Sequence, residues 1–496
     1  MPAADPTPRS RIVPTLVLAV LAALLVGLAA FGLYARAQGS SEDSGDAATA
    51  GEPLTWTGAQ GTSLPGVGRV EGLALPCTAW LLDTGSAAAY AVTTGRCAGI
   101  TDSSTVLSDT AVDGAKVTFR QFADAPAGSR TEPIAAAIDE VTWASMRGTD
   151  LALLRLATPA SELSAAGIPA IKVAAPLPDG GELLVAGLPV AGGADGSSLR
   201  GTRCQAGATV SVAEGPWLLH DLQASDCAGI VNGSFGSVAL DSAGAAVGLV
   251  ATTTIGSPSG APCQLRSPCE LGSGMVSVRP DTTYLVNVSS LGSCFTRSGF
   301  QLGGDCPLES PSGVVAAELS SSRTPAGDPV TVTVQPADET AEPASMQVRT
   351  GMLGSTDCWS PTGWSTRPVT DGELTVTAPP EQGLAVVCVG SPAQPTPLML
   401  TVSAGGPTPD QVRVTERTTS GGVTISAVLT PPEVASMSWT IEPGTSASCA
   451  SAEGYVTAPS TPTFIPAHDL PATVCAIAAD AAGNSSQPVA IRVGVS

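Results

Sequence analysis

Three short segments of the chain hold the residue types that hydrolytic chemistry would need. The first ends in Gly-Arg96-Cys97, the second begins with Asp150-Leu-Ala-Leu-Leu, and the third contains Ser234 followed by Phe235. Covalent hydrolysis requires a nucleophile, a base that takes its proton, and a third group that orients the base. A serine and an aspartate are therefore available, and the residues at these positions decide whether the chain is an enzyme.

These segments, in this order, resemble the trypsin-like serine peptidases over residues 54–307. That family carries its histidine in Thr-Ala-Ala-His-Cys, its aspartate in Asp-Ile-Ala-Leu-Leu and its serine in Gly-Asp/Asn-Ser-Gly-Gly/Ser-Pro. The matching stretches here are Ala91-Val-Thr-Thr-Gly-Arg96-Cys97, Asp150-Leu-Ala-Leu-Leu-Arg-Leu156 and the run from Val231 to Gly248. The resemblance, which is closer to bacterial extracellular members, implies a double β-barrel.

Two of the three matching positions hold residues that cannot do the family's chemistry. Arg96 stands at the histidine position, and a guanidinium cannot accept a proton near neutral pH. Phe235 stands at the nucleophile position, so Ser234 could serve only if the loop shifted by one residue. The family's oxyanion donors map to the backbone amides of Gly233 and Phe235, which give no catalysis without a nucleophile and a base.

The aspartate at position 150 matches the family although its partners are lost. One explanation is that it caps a turn before a core strand. The other is that Arg96 occupies the old histidine space and pairs with Asp150, since a buried carboxylate without a partner is costly. That pairing predicts a separation of less than about 6 Å. The two histidines, His220 and His468, match no motif and are expected to be surface or locally bonded residues.

The composition predicts an all-β protein. The chain has 496 residues, 55 Gly, 42 Pro and only 13% charged residues, and its apolar runs have the length of strands. After the trypsin-like stretch the composition becomes rich in Pro, Thr, Ser and Val. Two segments follow, 312–403 and 407–496, each the size of a β-sandwich. Both resemble immunoglobulin-like or fibronectin type III-like modules.

The N-terminal part predicts export. Residues 1–11 carry Arg9 and Arg11 and are expected in the cytoplasm, and the uncharged run 12–34 is long enough to cross a bilayer as a signal-anchor. Cleavage after Ala35-Arg36-Ala37 is the alternative, which would make the protein secreted. Residues 35–53 are predicted to be a flexible linker, so that the bulk of the chain lies outside the membrane.

Twelve cysteines, an even number, suit disulfides in an oxidising compartment. Neighbours in sequence give the first set of pairs to consider, although sequence alone leaves other connectivities open: Cys77–Cys97, Cys204–Cys227, Cys263–Cys269, Cys294–Cys306, Cys358–Cys388 and Cys449–Cys475. No CxxC spacing is present, so we expect no metal and no cofactor. The net charge of −21 argues against nucleic acid as a partner.

Three functions compete on these observations. The first is a membrane-anchored, catalytically inactive trypsin-like protein that binds or scaffolds another protein or a peptide. The second is an active serine endopeptidase whose site is re-registered, which predicts His220 or another base within hydrogen-bond reach of Ser234. The third is a cell-surface adhesion or envelope protein in which the β-sandwich modules bind.

Overall fold

The structure is a computed structural model that describes most of the chain beyond residue 63. The described residues are 52–53, 64–122, 132–188, 198–230, 234–257, 262–272, 274–311, 316–335, 343–403, 407–419, 421–429, 434, 436–444, 449, 454–459, 461–479 and 485–494. No helix within these ranges is long and apolar enough to cross a membrane. The predicted signal-anchor at 12–34 lies outside them.

The first part of the described chain closes into a β-barrel. A two-residue strand, β1 (Glu52–Pro53), comes first. The strands that follow are β2 (Val67–Glu71), β3 (Cys77–Leu82), β4 (Ala89–Thr93), β5 (Val106–Ala111), β6 (Lys116–Phe119), β7 (Ile134–Ser145) and β8 (Leu151–Leu156). Hydrogen bonds join β7, β6, β2, β3, β4 and β8 in that order, and β8 pairs back with β7. Six antiparallel strands therefore form a ring, with β5 added at β7.

A short helix, α1 (Ala160–Ala165), leads to a second barrel. Its strands are β9 (Glu182–Gly187), β10 (Arg200–Glu214), β11 (Trp217–Ser225), β12 (Val238–Leu240), β13 (Ala246–Thr253), β14 (Cys269–Gly272), β15 (Met275–Ser277) and β16 (Thr283–Asn287). The ring runs β9, β10, β11, β16, β13, β12 and returns to β9. Strand β1 pairs with β10, so the last two residues of the predicted linker belong to a sheet.

The two rings have the same order of strands. In each, the first three strands lie side by side, and the sixth, fifth and fourth complete the circle. One continuous apolar core joins the two barrels, because it contains Trp80 and Leu153 from the first together with Leu219 and Val238 from the second. The all-β prediction is confirmed, and the two closed barrels are consistent with the predicted trypsin-like double barrel.

Two β-sandwiches follow the barrels. A hairpin of β17 (Phe295–Thr296) and β18 (Gly299–Phe300) precedes them. The first sandwich contains β19 (Ala316–Leu319), β20 (Arg323–Pro325), β21 (Pro329–Gln335), β22 (Ser345–Met352), β23 (Ser365–Pro368), β24 (Glu373–Thr377), β25 (Gly383–Ser391) and β26 (Gln394–Ser403). Its sheets, β19-β21-β24 and β20-β26-β25-β22-β23, enclose a core rich in valine. Alternating burial along β21 and β24 follows the period of two expected of strands that face a core on one side.

The second sandwich has the same two-layer plan. It contains β27 (Val414–Thr419), β28 (Gly422–Ala427), β29 (Ser436–Pro443), β30 (Val456–Thr457), β31 (Thr463–Pro466), β32 (Ala472–Ala479) and β33 (Val489–Val493). The sheets are β27-β28-β31 and β30-β29-β32-β33, and Trp439 and Ile425 lie in the core between them.

The second barrel packs against the first sandwich through a shared apolar cluster. Ala213 and Leu218 of the barrel meet Val386 and Cys388 of the sandwich in this cluster. The first barrel adds polar contacts: the Arg147 guanidinium donates hydrogen bonds to two carbonyl groups of β26, and Ser103 Oγ donates to the Pro397 carbonyl at 2.7 Å. Barrel and sandwich are therefore held together by both packing and hydrogen bonds.

All twelve cysteines form disulfides, and the pairs are those between sequence neighbours. The bridge from Cys77 to Cys97 ties β3 to the turn that carries Arg96. It therefore fixes one wall of the site described next.

Candidate functional site

The three positions that resemble a catalytic triad meet between the two barrels. Arg96 lies in a single 3-10 turn, Gly95–Ala98, which follows β4 and ends at Gly99 in the left-handed conformation. Asp150 directly precedes β8, and Phe235 lies in the turn before β12. The Phe235 carbonyl accepts a hydrogen bond from the Thr78 amide at 2.9 Å, which joins the second barrel to β3 of the first.

Arg96 and Asp150 form an ion pair, which is one of the two explanations that the sequence offered for Asp150. The Arg96 Nε donates to Asp150 Oδ2 at 2.6 Å, and the Arg96 backbone amide donates to Asp150 Oδ1 at 3.1 Å. Both side chains are buried, Arg96 at 6% exposure and Asp150 at 0%. The separation is well inside the 6 Å limit, so the arginine occupies the position next to the aspartate that a catalytic histidine would require.

A second carboxylate, which the sequence analysis did not single out, completes the arrangement. Glu214 is the last residue of β10 and is 1% exposed. Its Oε2 accepts a hydrogen bond from Arg96 Nη2 at 2.9 Å and its Oε1 one from Nη1 at 3.4 Å. Because each of the two nitrogens donates to a different oxygen, this is the fork-like Arg–carboxylate geometry, which is stronger than a single contact. The Arg266 amide adds a hydrogen bond to Glu214 Oε1 at 2.9 Å.

Two aromatic rings cover the guanidinium. The Arg96 Cζ lies 4.6 Å from the centre of the Phe235 ring and 5.0 Å from that of Trp217. A cation is attracted to the face of an aromatic ring within about 6 Å. Arg96 is therefore held by two carboxylates and two rings, and Phe235 and Arg96, which the resemblance places at the nucleophile and base positions, contact each other.

The charges of this cluster do not cancel. One guanidinium faces two carboxylates, so the buried group carries a net negative charge when all three are ionised. Burial disfavours the charge on Arg96, but Glu214 and then Asp150 outweigh that effect and raise its pKa further above its ordinary value. Burial raises the pKa of Asp150, although Arg96 opposes the shift. Arg96 is therefore permanently charged and cannot act as a base.

The remaining candidates do not assemble a hydrolytic site in the described part of the chain. Ser234 is 4% exposed, and its carbonyl accepts hydrogen bonds from the Ser237 amide and hydroxyl. His220 Nδ1 contacts Ser211 Oγ at 3.1 Å, and its Nε2 lies 3.3 Å from Asp221. Its ring also stacks on Trp359 of the first sandwich at 4.2 Å. His220 therefore directs both nitrogens to residues other than Ser234.

His468 lies apart from the site. It belongs to a 3-10 turn of the second sandwich, is 81% exposed, and pairs with Asp469 at 3.6 Å. Gly233, one of the two expected oxyanion donors, lies outside the described residues. Within the described ranges, no three His, Cys, Asp or Glu side chains gather as metal ligands would.

The chain matches no protein-family model and no curated protein. Among solved structures it is similar to an inactive-form mutant of Rv3671c from M. tuberculosis, with 14% identity over 46% of this chain and 85% of that chain, at a TM-score of 0.28. It is also similar to the human heparin binding protein, with 13% identity over 49% of this chain and 93% of that chain, at a TM-score of 0.33. At this level of likeness, neither protein's properties transfer to this chain.

Proposed function

We propose that this protein is a non-catalytic member of the trypsin-like group that binds another protein outside the cell membrane. One observation carries the proposal: the position of the general base is filled by a buried arginine that is ion-paired to Asp150 and Glu214. Loss of the base alone would leave a nucleophile in place, but Phe235 stands there and contacts the same arginine. Peptide-bond hydrolysis then has neither of the two groups that move its proton.

A pair of barrels that lacks the base and the nucleophile can still bind another protein. The loops of a barrel pair are displayed on a rigid scaffold, and here six disulfides and a packed barrel–sandwich contact add to that rigidity. Rigid surfaces bind with a smaller loss of conformational entropy. The signal-anchor proposed for residues 12–34 would display this surface outside the cell, and the disulfides suit that location.

A labelling experiment tests the absence of chemistry. The purified chain is incubated with a fluorophosphonate probe and, separately, with casein, and both are followed by mass spectrometry. We expect neither probe adduct nor cleavage, whereas trypsin added at a known ratio gives both. The matched variant is Ser234→Ala. Hydrolysis by the native chain that disappears in this variant would show a re-registered active site and overturn the proposal.

A further inference from the structure

A cleft of about 1410 Å³ opens where the barrels meet the first sandwich. The barrels contribute two loops, 101–104 and 262–265, together with the β10–β11 turn at Gly215 and Pro216. The sandwich contributes all of β19 and part of β26, together with Thr333 and Gln335 of β21, Leu384 of β25 and Ser322, and Gln411 also lines the cleft. Small-molecule pockets occupy about 300–1,000 Å³. This cleft is larger and open to solvent, which suits a segment of polypeptide.

Strand β19 faces the cleft with its edge. Four consecutive residues, from Ala316 to Leu319, line the cleft. Successive side chains of a strand point to opposite faces, so a cleft that touches all four reaches the side of the strand. The cleft also covers one face of the β19–β21 pair, because Thr333 and Gln335 line it as well. Strand β19 is the end strand of its sheet and pairs only with β21 in the described part of the chain.

The hydrogen-bond register between β19 and β21 shows which backbone groups of β19 point away from β21. Ser320, just after β19, donates its amide to the Thr331 carbonyl of β21. Residues of an antiparallel strand alternate between facing the partner and facing away. Ala317 stands opposite Val334, whose own amide bonds to Gly372 on the far side. The amide and carbonyl groups of Ala317 and Leu319 therefore point away from β21.

The residues that line the cleft suit a strand with basic and apolar side chains. Its apolar members include Leu265, which is 42% exposed, and Met399. Its charged members, among the described residues, are the two acids Asp102 and Glu318. The Asp102 carboxylate is held in place by the amides and hydroxyls of Ser104 and Thr105. A bound segment that alternates basic and apolar side chains would place its basic side chains against the two acids and its apolar side chains against Leu265 and Met399.

We propose that this cleft binds an extended, basic segment of a partner protein, which adds to the free edge of β19 as a further strand. Strand addition draws its affinity from main-chain hydrogen bonds and its selectivity from the side chains along the groove. The net charge of −21 over the whole chain attracts such a segment from a distance. The inference rests on the proposed function, because it names the surface and the class of partner for the same binding activity.

The test uses the full chain and two labelled peptides, one of alternating lysine and valine and one of alternating glutamate and valine. Binding is followed by fluorescence anisotropy. We expect saturable binding of the lysine peptide that weakens with salt, and slower hydrogen exchange at residues 316–319 when it is bound. Glu318→Lys should weaken that binding about tenfold, because one close attraction becomes a repulsion. The matched control is Glu381→Lys, an exposed acid of the same sandwich that does not line the cleft.

A second variant separates strand addition from charge attraction. Ala317→Pro removes the outward amide without removing a bond to β21, so it should weaken the lysine peptide at least about fivefold. Equal affinities for the two charge variants, no effect of the proline, or no saturable binding would each overturn the proposal. A dimer seen by sedimentation that the peptide cannot dissociate would assign the edge to a second copy of this chain, which also overturns it.

Failure of the cleft proposal is distinguishable from failure of the proposed function. The mass of each peptide is measured after incubation. A peptide that is cleaved overturns the non-catalytic function whatever the cleft variants do. A peptide that stays intact but binds equally well to the Glu318 and Glu381 variants overturns only the cleft.

Discussion

Replacement of Arg96 by methionine is the sharpest test of how the site is held together. Methionine keeps an unbranched apolar chain of similar length but removes the charge and the donors to Asp150 and Glu214. The two carboxylates then remain buried, at 0% and 1% exposure. Removing one partner of a buried ion pair costs about 3–5 kcal/mol, because the other charge stays desolvated.

Although two carboxylates lose their partner, backbone donors that remain in the variant keep the loss of stability near the cost for a single ion pair. Asp150 still accepts the amide of residue 96, which any side chain leaves in place, and Glu214 still accepts the amide of Arg266. The aromatic contacts with Trp217 and Phe235 change from cation–ring to methionine–ring packing, which is worth a similar small amount. We therefore expect Arg96→Met to destabilise the barrels by about 3–5 kcal/mol at pH 7.

The pH dependence has a definite sign. Burial raises the pKa of Asp150, and the guanidinium that opposes this shift is absent from the variant, so the Asp150 pKa lies further above its value in the unfolded chain. A raised folded-state pKa favours folding at low pH and loses that contribution as the pH rises through it. The deficit of the methionine variant relative to the native chain should therefore shrink as the pH falls from 7 towards 4.

The assay must separate the barrels from the sandwiches, because a chain with several cores need not unfold in one step. Urea unfolding is combined with hydrogen exchange read over β4, β8 and β10, which surround the site. The charge-free variant Arg96→Met/Asp150→Asn/Glu214→Gln should recover more than half of the loss. If the single variant is as stable as the native chain, or if its deficit is the same at pH 4 and pH 7, the account of the cluster as a buried ion group is refuted.

Three further predictions concern a glycine beside the site, the contact between the first barrel and the first sandwich, and the cleft. Gly236→Ala should lower the free energy of unfolding in urea by at least about 3 kcal/mol, because Gly236 has φ +82° and the added methyl group would meet the Thr78 carbonyl. The control Gly244→Ala, at φ +80° with open space around it, should cost only about 1 kcal/mol. Equal costs for the two variants would refute the steric argument. Arg147→Met should cost about 2–3 kcal/mol and speed hydrogen exchange in β25 and β26, because it removes two charged hydrogen bonds to the first sandwich; unchanged exchange would contradict this. The pKa of Asp102 is lowered because hydrogen bonds from Thr105 and Ser104 outweigh burial, so its stabilising contribution is present above about pH 4 and is lost as the pH falls further; the stability difference between the native chain and Asp102→Asn should vanish in acid, and a constant difference would contradict the assignment.

Much of the fold could be predicted from local patterns. Strand-length apolar runs at 78–82, 90–93 and 151–156 lie in β3, β4 and β8, and the cysteines pair with their sequence neighbours. Alternation and turn residues act over a few positions, so they are readable without a structure. The Arg96–Asp150 pair was also predictable, because a family pattern supplied the proximity of two positions that are 54 residues apart.

Glu214 and Trp217 were not predictable in the same way. They flank the β10–β11 turn, and Glu214 is 118 residues from the arginine that it binds. An acid and a tryptophan beside a Gly-Pro turn look like an ordinary hairpin end, and no local pattern indicates what that end packs against. The cleft is a similar case, since its wall combines loops of the barrels with an edge strand of the sandwich.

The sequence by itself determines that positions 96 and 235, where the resemblance places a base and a nucleophile, hold a guanidinium that cannot take a proton and a phenyl ring that cannot attack a carbonyl. Only the tertiary structure decides which residues surround Arg96. The closing of two barrels against each other brings Asp150, Glu214, Trp217 and Phe235 around one guanidinium. Side-chain chemistry is a property of each residue, whereas burial and charge pairing depend on contacts between distant parts of the chain, and those contacts exist only in the folded protein.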